Sequence, residues 1–122
     1  MSPIRTLIIT ASMAAAIVAS PLAAAHASLK SSNPKAGETL VAAPKEIVLT
    51  FNEKVEEAFS TITLSNAEGK PVVSEKAKVD TSNPAILRLN APSLNSGTYS
   101  VTWAVAGHDG HRRKGDFKFT VK

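Results

Sequence analysis

From Tyr99 to Val105, and again from Phe117 to Val121, apolar side chains recur at every second position. Tyr99, Val101, Trp103 and Val105 fall on one side of an extended chain, and Phe117, Phe119 and Val121 fall on one side of another. A period of two belongs to a strand with one buried face, so this stretch predicts a pair of β-strands. The same signature recurs upstream in shorter runs. Glu46 to Phe51 puts Ile47, Leu49 and Phe51 on one side and Val48 and Thr50 on the other, with Pro44 ahead of it where a missing amide is tolerated. Ala27 to Ser32 reads as a first strand, closed by Asn33-Pro34 and a turn around Gly37. Phe59 to Leu64 reads as another, with Phe59, Thr61 and Thr63 opposite Ile62 and Leu64. Asn66-Ala67-Glu68-Gly69 makes a turn. Val72-Val73 and Ala77 to Val79 are short and lysine-rich, as befits edges that must not pair with other molecules. Ala85 to Leu89 lies between Pro84 and Pro92, and Asn95-Ser96-Gly97 turns the chain into Thr98. Glu53 to Ala58 is too short for more than a helical turn. Short alternating runs fenced by turn residues, with no internal repeat or linker, predict an all-β sandwich. Trp103 and Tyr99 share one face and are expected in its core rather than on an exposed stacking platform.

The first 25 residues read differently. Arg5 gives a basic start, Leu7 to Val18 an apolar run, and Ala23-Ala24-Ala25 a small-residue cleavage pattern, the order of a secretory signal peptide. Pro21 interrupts the apolar run, which suits removal better than anchoring. Residues 1–25 are therefore expected to be cut away, leaving one soluble exported domain, residues 26–122. Cleavage after Ala25 makes His26 the first residue; the overlapping pattern Ala25-His26-Ala27 instead gives a chain starting at Ser28. The sequence has no cysteine, and its two methionines, Met1 and Met13, both lie in the signal segment. The mature chain thus has neither disulfides nor any sulfur ligand. Losing Arg5 takes the formal charge from +4 to +3, which is ordinary for solubility and is no nucleic-acid footprint.

Two of the three histidines stand in Gly107-His108-Asp109-Gly110-His111, between the two longest alternating strands. Taken alone, Asp109-Gly110 is a hairpin signal, because both residues tolerate positive φ, and the histidines beside it are exposed. Three features point further. Asp109 and His111 are two apart, so an extended backbone aims both the same way. A carboxylate and an imidazole suit a borderline divalent ion such as Cu²⁺ or Zn²⁺. A terminal His26 adds its ring and a free α-amine, whose pKa of about 8 allows a metal to displace its proton. Amine, two imidazoles and a carboxylate make a nitrogen-rich tetragonal set that favours Cu²⁺, and zinc fits the ligand types as well.

In its ordered pieces the chain resembles the CopC family of periplasmic copper-binding, copper-resistance proteins. The resemblance rests on the histidine after the signal peptide, Ser32-Asn33-Pro34 with Gly37, and Ala43-Pro44 followed by Ile47 to Glu53. It continues through Gly97 to Trp103, Asp109-Gly110-His111, and Gly115 with the strand to Val121. It implies a seven-stranded Greek-key β-sandwich or barrel of cupredoxin-like, Ig-like shape, binding Cu²⁺ at one end. By family pattern the metal ligands are the amine and ring of His26, the carboxylate of Asp109 and the ring of His111. Glu53 matches an acidic position near the site and would act on the ligands rather than on the metal. Some relatives carry a methionine-rich Cu⁺ site; this mature chain has no methionine, so the resemblance does not extend to it. The family also implies an inner-membrane copper-transport partner of the CopD kind. His108 is extra to the pattern and is expected to be exposed. Arg112-Arg113-Lys114 reads as a solvated hairpin flank or as a docking patch for an acidic partner or membrane surface.

The expected function is sequestration or delivery of Cu²⁺ by a monomeric, non-enzymatic protein. Two other classes compete. A terminal histidine with a second histidine also forms the brace of copper monooxygenases, but Asp109 would fill a position such chemistry needs open. An Ig-like adhesion or chaperone module with incidental histidines would bind no metal tightly.

Overall fold

Ile47, Leu49 and Phe51 are buried while Val48 and Thr50 between them are only partly covered, so the period-two pattern becomes one inner and one outer face. In the computed structural model, which describes residues 27–122, the described chain forms eight strands in two sheets. They are β1 Leu29–Asn33, β2 Thr39–Leu40, β3 Glu46–Phe51, β4 Thr61–Ser65, β5 Lys78–Val79, β6 Ile86–Asn90, β7 Gly97–Ala106 and β8 Arg112–Val121. One sheet has the order β1-β3-β6-β5 and the other β2-β8-β7-β4. Residues 1–25, which the sequence reads as a signal segment, and His26 lie outside the described residues.

The two inner faces meet in a core of Ile47, Leu49, Phe51, Leu87 and Leu89 from one sheet against Ile62, Leu64, Val101, Val105 and Phe119 from the other. Both large aromatic residues of β7 are in it, as their shared face predicts. Trp103 meets the Phe51 ring edge-on at 5.2 Å, and Tyr99 stacks on Phe119 at 5.6 Å. The buried phenol needs a partner, and its O–H donates to the Asn95 carbonyl four residues back, at 2.7 Å. Gly115 pairs with Trp103 across β7 and β8, where a Cβ would sit 2.5 Å from indole Cζ2. Glycine there lets the indole lie flat on the backbone.

The expected sandwich is found, with eight strands where seven were expected. The additional one, β2, is two residues long and pairs parallel with the end of β8. Nothing that short shows an alternation. Val72-Val73 is not a strand: Pro71 lacks an amide donor, and the segment makes a single bridge from Pro71 to Ser65 and one bond from the Val72 amide to the Leu64 carbonyl. Phe59 is not in β4 but ends a 3-10 turn, Glu57–Phe59, and is exposed. The last strand starts at Arg112, earlier than the alternation shows, so the basic run is the exposed first part of β8 flanking the hairpin loop.

Away from the loop, Arg88 on β6 joins Glu46 and Asp80, each at 2.8 Å. Asp80 also caps the turn after β5, accepting from the Ser82 hydroxyl at 2.7 Å and from the Ser82 and Asn83 amides. The Ser82 hydroxyl first, and then Arg88, hold this carboxyl below its ordinary 3.8, at about 2. A depressed carboxyl contributes stability above its unfolded pKa and loses it as pH falls toward the folded one. Thermal melting between pH 5 and pH 2 should therefore fall more steeply for the native chain than for Asp80→Asn. Parallel curves would show that the network contributes nothing to acid stability.

Candidate metal centre

β7 and β8 run antiparallel for ten residue pairs, from Gly97–Val121 to Ala106–Arg112, and the Gly107–His111 loop closes them. The Gly110 amide donates to the Gly107 carbonyl and the Gly107 amide donates to the His111 carbonyl, both at 2.9 Å. Gly110 has φ +85°, and no residue other than glycine has positive φ among those described. The loop is thus a turn followed by a left-handed glycine, the three-residue hairpin connection, rather than a two-residue turn with Asp109 also left-handed.

That turn brings Asp109 and His111 together. His111 Nδ1 stands 2.9 Å from Asp109 Oδ2, and the His111 amide donates to Asp109 Oδ1 at 3.0 Å. The convergence expected of the pair is present, by a bend at Gly110 and not by extended backbone. Both side chains remain open to solvent, at 35% and 60% exposure. Two donors bound side by side to one ion, at bond lengths of about 2.0–2.1 Å, stand about 2.9 Å apart. The observed spacing fits a metal taking the place of the shared proton.

Glu53 comes to the same place. The chain after β3 passes the loop through a Val55–Gly107 bridge, and the Glu56 amide donates to the Ala106 carbonyl at 2.9 Å. A Cβ on Gly107 would collide with Glu53 Oε1 and come within 3.2 Å of Asp109 Oδ1. Two carboxylate oxygens therefore share the space that glycine leaves. Glu53 Oε1 is buried with no hydrogen-bond partner among the described residues. A buried carboxylate oxygen without a donor is costly, and it is suited to face a donor or a cation. No set of three histidine, aspartate or glutamate side chains around a common point is found among the described residues. The described part supplies a pair and a neighbour, not a closed site.

The remaining expected ligand, His26, lies outside the described residues. Its successor Ala27 is fully buried. The Ser28 amide donates to Asn52 Oδ1 at 2.6 Å and the Asn52 amide donates to the Ser28 carbonyl at 3.0 Å. The start of the described chain is thus clamped beside Asn52, next to Glu53. The sequence reading missed this clamp; asparagine directly before Glu53 was its only trace.

Residues 29–122 match the CopC domain. The chain belongs to the CopC family. Protein YobA of Escherichia coli strain K12 is 37% identical over 99 residues, covering 80% of this chain and 80% of that protein. CopC from Methylosinus trichosporium OB3b superposes with a TM-score of 0.76 and 39% identity, over 80% of this chain and 94% of that one. PcoC, a methionine-rich copper resistance protein from Escherichia coli, superposes with a TM-score of 0.69 and 34% identity, over 80% and 99%. Within this CopC fold the divergence from a methionine-rich relative is plain, since residues 26–122 contain no methionine.

His108 is exposed, as expected. Its Nδ1 stands 3.6 Å from Glu56 Oε1, an exposed pair distinct from Asp109 and His111.

Proposed function

We propose that this CopC-family protein binds a single Cu²⁺ ion in the periplasm and sequesters or delivers it. Asp109 and His111 supply a carboxylate oxygen and a ring nitrogen, and a mature terminus at His26 supplies its amine and ring. Glu53 acts from behind as an acceptor that orients these donors. The observation that carries the reading is the 2.9 Å donor pair next to a buried carboxylate oxygen with no donor of its own. Copper is the metal in the name of PcoC, and the donor set here is nitrogen and oxygen without sulfur, which favours the oxidised ion over Cu⁺. A second, soft copper site is not part of the proposal, because residues 26–122 have neither methionine nor cysteine.

Binding fits better than catalysis. Asp109 occupies a position that oxygen chemistry would need free, and Trp103 and Tyr99 are buried, so neither offers a surface for a sugar chain. The protein would act as a monomer and pass copper to or from an inner-membrane CopD-like protein.

The test is to purify the periplasmic form, establish its first residue by intact mass, and titrate Cu²⁺ against a competing chelator. The expected result is a chain beginning at His26 that binds one ion per molecule, more weakly in mild acid because amine and imidazole donors must lose protons to bind. A chain that begins at Ser28 and binds as tightly, or an affinity flat from neutral to mildly acidic pH, overturns the terminal ligands.

A further inference from the structure

Against the same loop lies a depression of about 390 Å³ lined by Glu56, Phe59, Ala106, Gly107, His108, Gly110 and Arg112. Its size is that of a cleft able to receive a side chain. Phe59 forms one wall with 61% of its surface exposed, and Val41 is the only other large apolar residue so exposed among those described. Burying a phenylalanine is worth about 1.5–3 kcal/mol, so leaving this ring in water forgoes that stabilisation. The ring is held there. The Phe59 amide donates to the Glu56 carbonyl at 3.1 Å, and the buried Ser60 hydroxyl accepts from the Ala106 amide at 3.3 Å.

The cleft's own lining holds one carboxylate, Glu56, and one permanent cation, Arg112. Glu57 turns away and accepts from the Val79 amide at 2.7 Å. Glu56 faces His108. Arg112 lines the cleft, and Lys114, two residues along β8, lies on the same face, each paired with an alanine of β7. Among the described residues no carboxylate is within ion-pair distance of Arg112, Arg113 or Lys114. An apolar pocket with unpaired cations on one rim is complementary to an apolar side chain carried in an acidic segment.

We infer that this cleft docks an acidic protein segment, with one aliphatic or aromatic side chain seated against Phe59 and carboxylates on Arg112 and Lys114. Concavity favours a protein segment over a lipid surface, which has no single side chain to insert. The docked segment would touch Gly107, His108 and Gly110, whereas Asp109 and His111 do not themselves line the cleft. The inference goes beyond the copper reading and does not depend on it.

The experiment uses the metal-free mature protein, labelled for amide NMR. It is titrated with capped peptides in which leucine is flanked on each side by two glutamates, with the serine and the lysine counterparts, and with phosphatidylglycerol vesicles. Shifts are expected at Phe59, Ala106, His108 and Arg112 with the leucine–glutamate peptide. Binding should be about tenfold weaker when leucine becomes serine, and about tenfold weaker in Phe59→Ser or Arg112→Glu, with melting temperatures unchanged. Equal binding of the leucine and serine peptides, or shifts elsewhere, overturns the proposal. So does vesicle binding with silent peptides, which would assign the cations to a membrane surface. Failure of every probe to bind makes the rim a solvated strand and overturns it as well.

Discussion

Replacing His111 by alanine is expected to weaken Cu²⁺ binding by roughly a thousandfold, or about 4 kcal/mol. Loss of an outer partner costs a site about ten- to a hundredfold, and loss of a donor atom should cost more. The ring is 60% exposed, so its removal opens no cavity. The turn itself should persist, because the His111 amide and carbonyl keep their bonds to Asp109 and Gly107. Metal-free melting should therefore move little while the affinity collapses, as read by competition with a chelator of known strength. An unchanged affinity would remove the loop from the site altogether, whatever the terminus contributes.

Glu53→Gln should move two measurements in opposite directions. In the metal-free protein the native carboxylate oxygen is buried without a donor, so removing its charge should stabilise the fold by about 1 kcal/mol. In the copper-bound protein the same change removes an anionic acceptor beside the ligands, and affinity should drop about ten- to a hundredfold. A purely structural role would lower stability and leave affinity alone; that result would exclude Glu53 from the site. Gly107→Ala gives an independent approach. The added methyl takes the place of Glu53 Oε1, and the flexible end of the glutamate can swing aside at small cost, so the variant should reproduce the affinity loss with Glu53 intact.

The alternation of β3, β6, β7 and β8 was readable because one face of each is buried and a period of two follows directly from that. The pairing of Asp109 with His111 was readable for a partly incorrect reason. Spacing suggested extended backbone, whereas the left-handed Gly110 bends the chain and brings the two together. Phe59 was misassigned because an aromatic residue two before Thr61 continues the alternation on paper. The turn at Glu57–Phe59 is decided by tertiary bonds to Ala106, and no local pattern reports those. The position of Glu53 against Gly107 depends on a bridge between residues 55 and 107. Only the likeness to CopC proteins had placed that carboxylate near the loop.

The placement of β8 between β2 and β7 also sets an order in time. One of the two interior strands of the sheet that carries the loop is residues 112–121, which leave the ribosome after every other strand described. Until they appear, β7 lacks its ten-residue partner and β2 has nothing to pair with. Until then a nascent chain of this topology has its second sheet only as the β4–β7 pair. Without β8, the inner face of β1-β3-β6-β5 lacks part of the cover that closes the core.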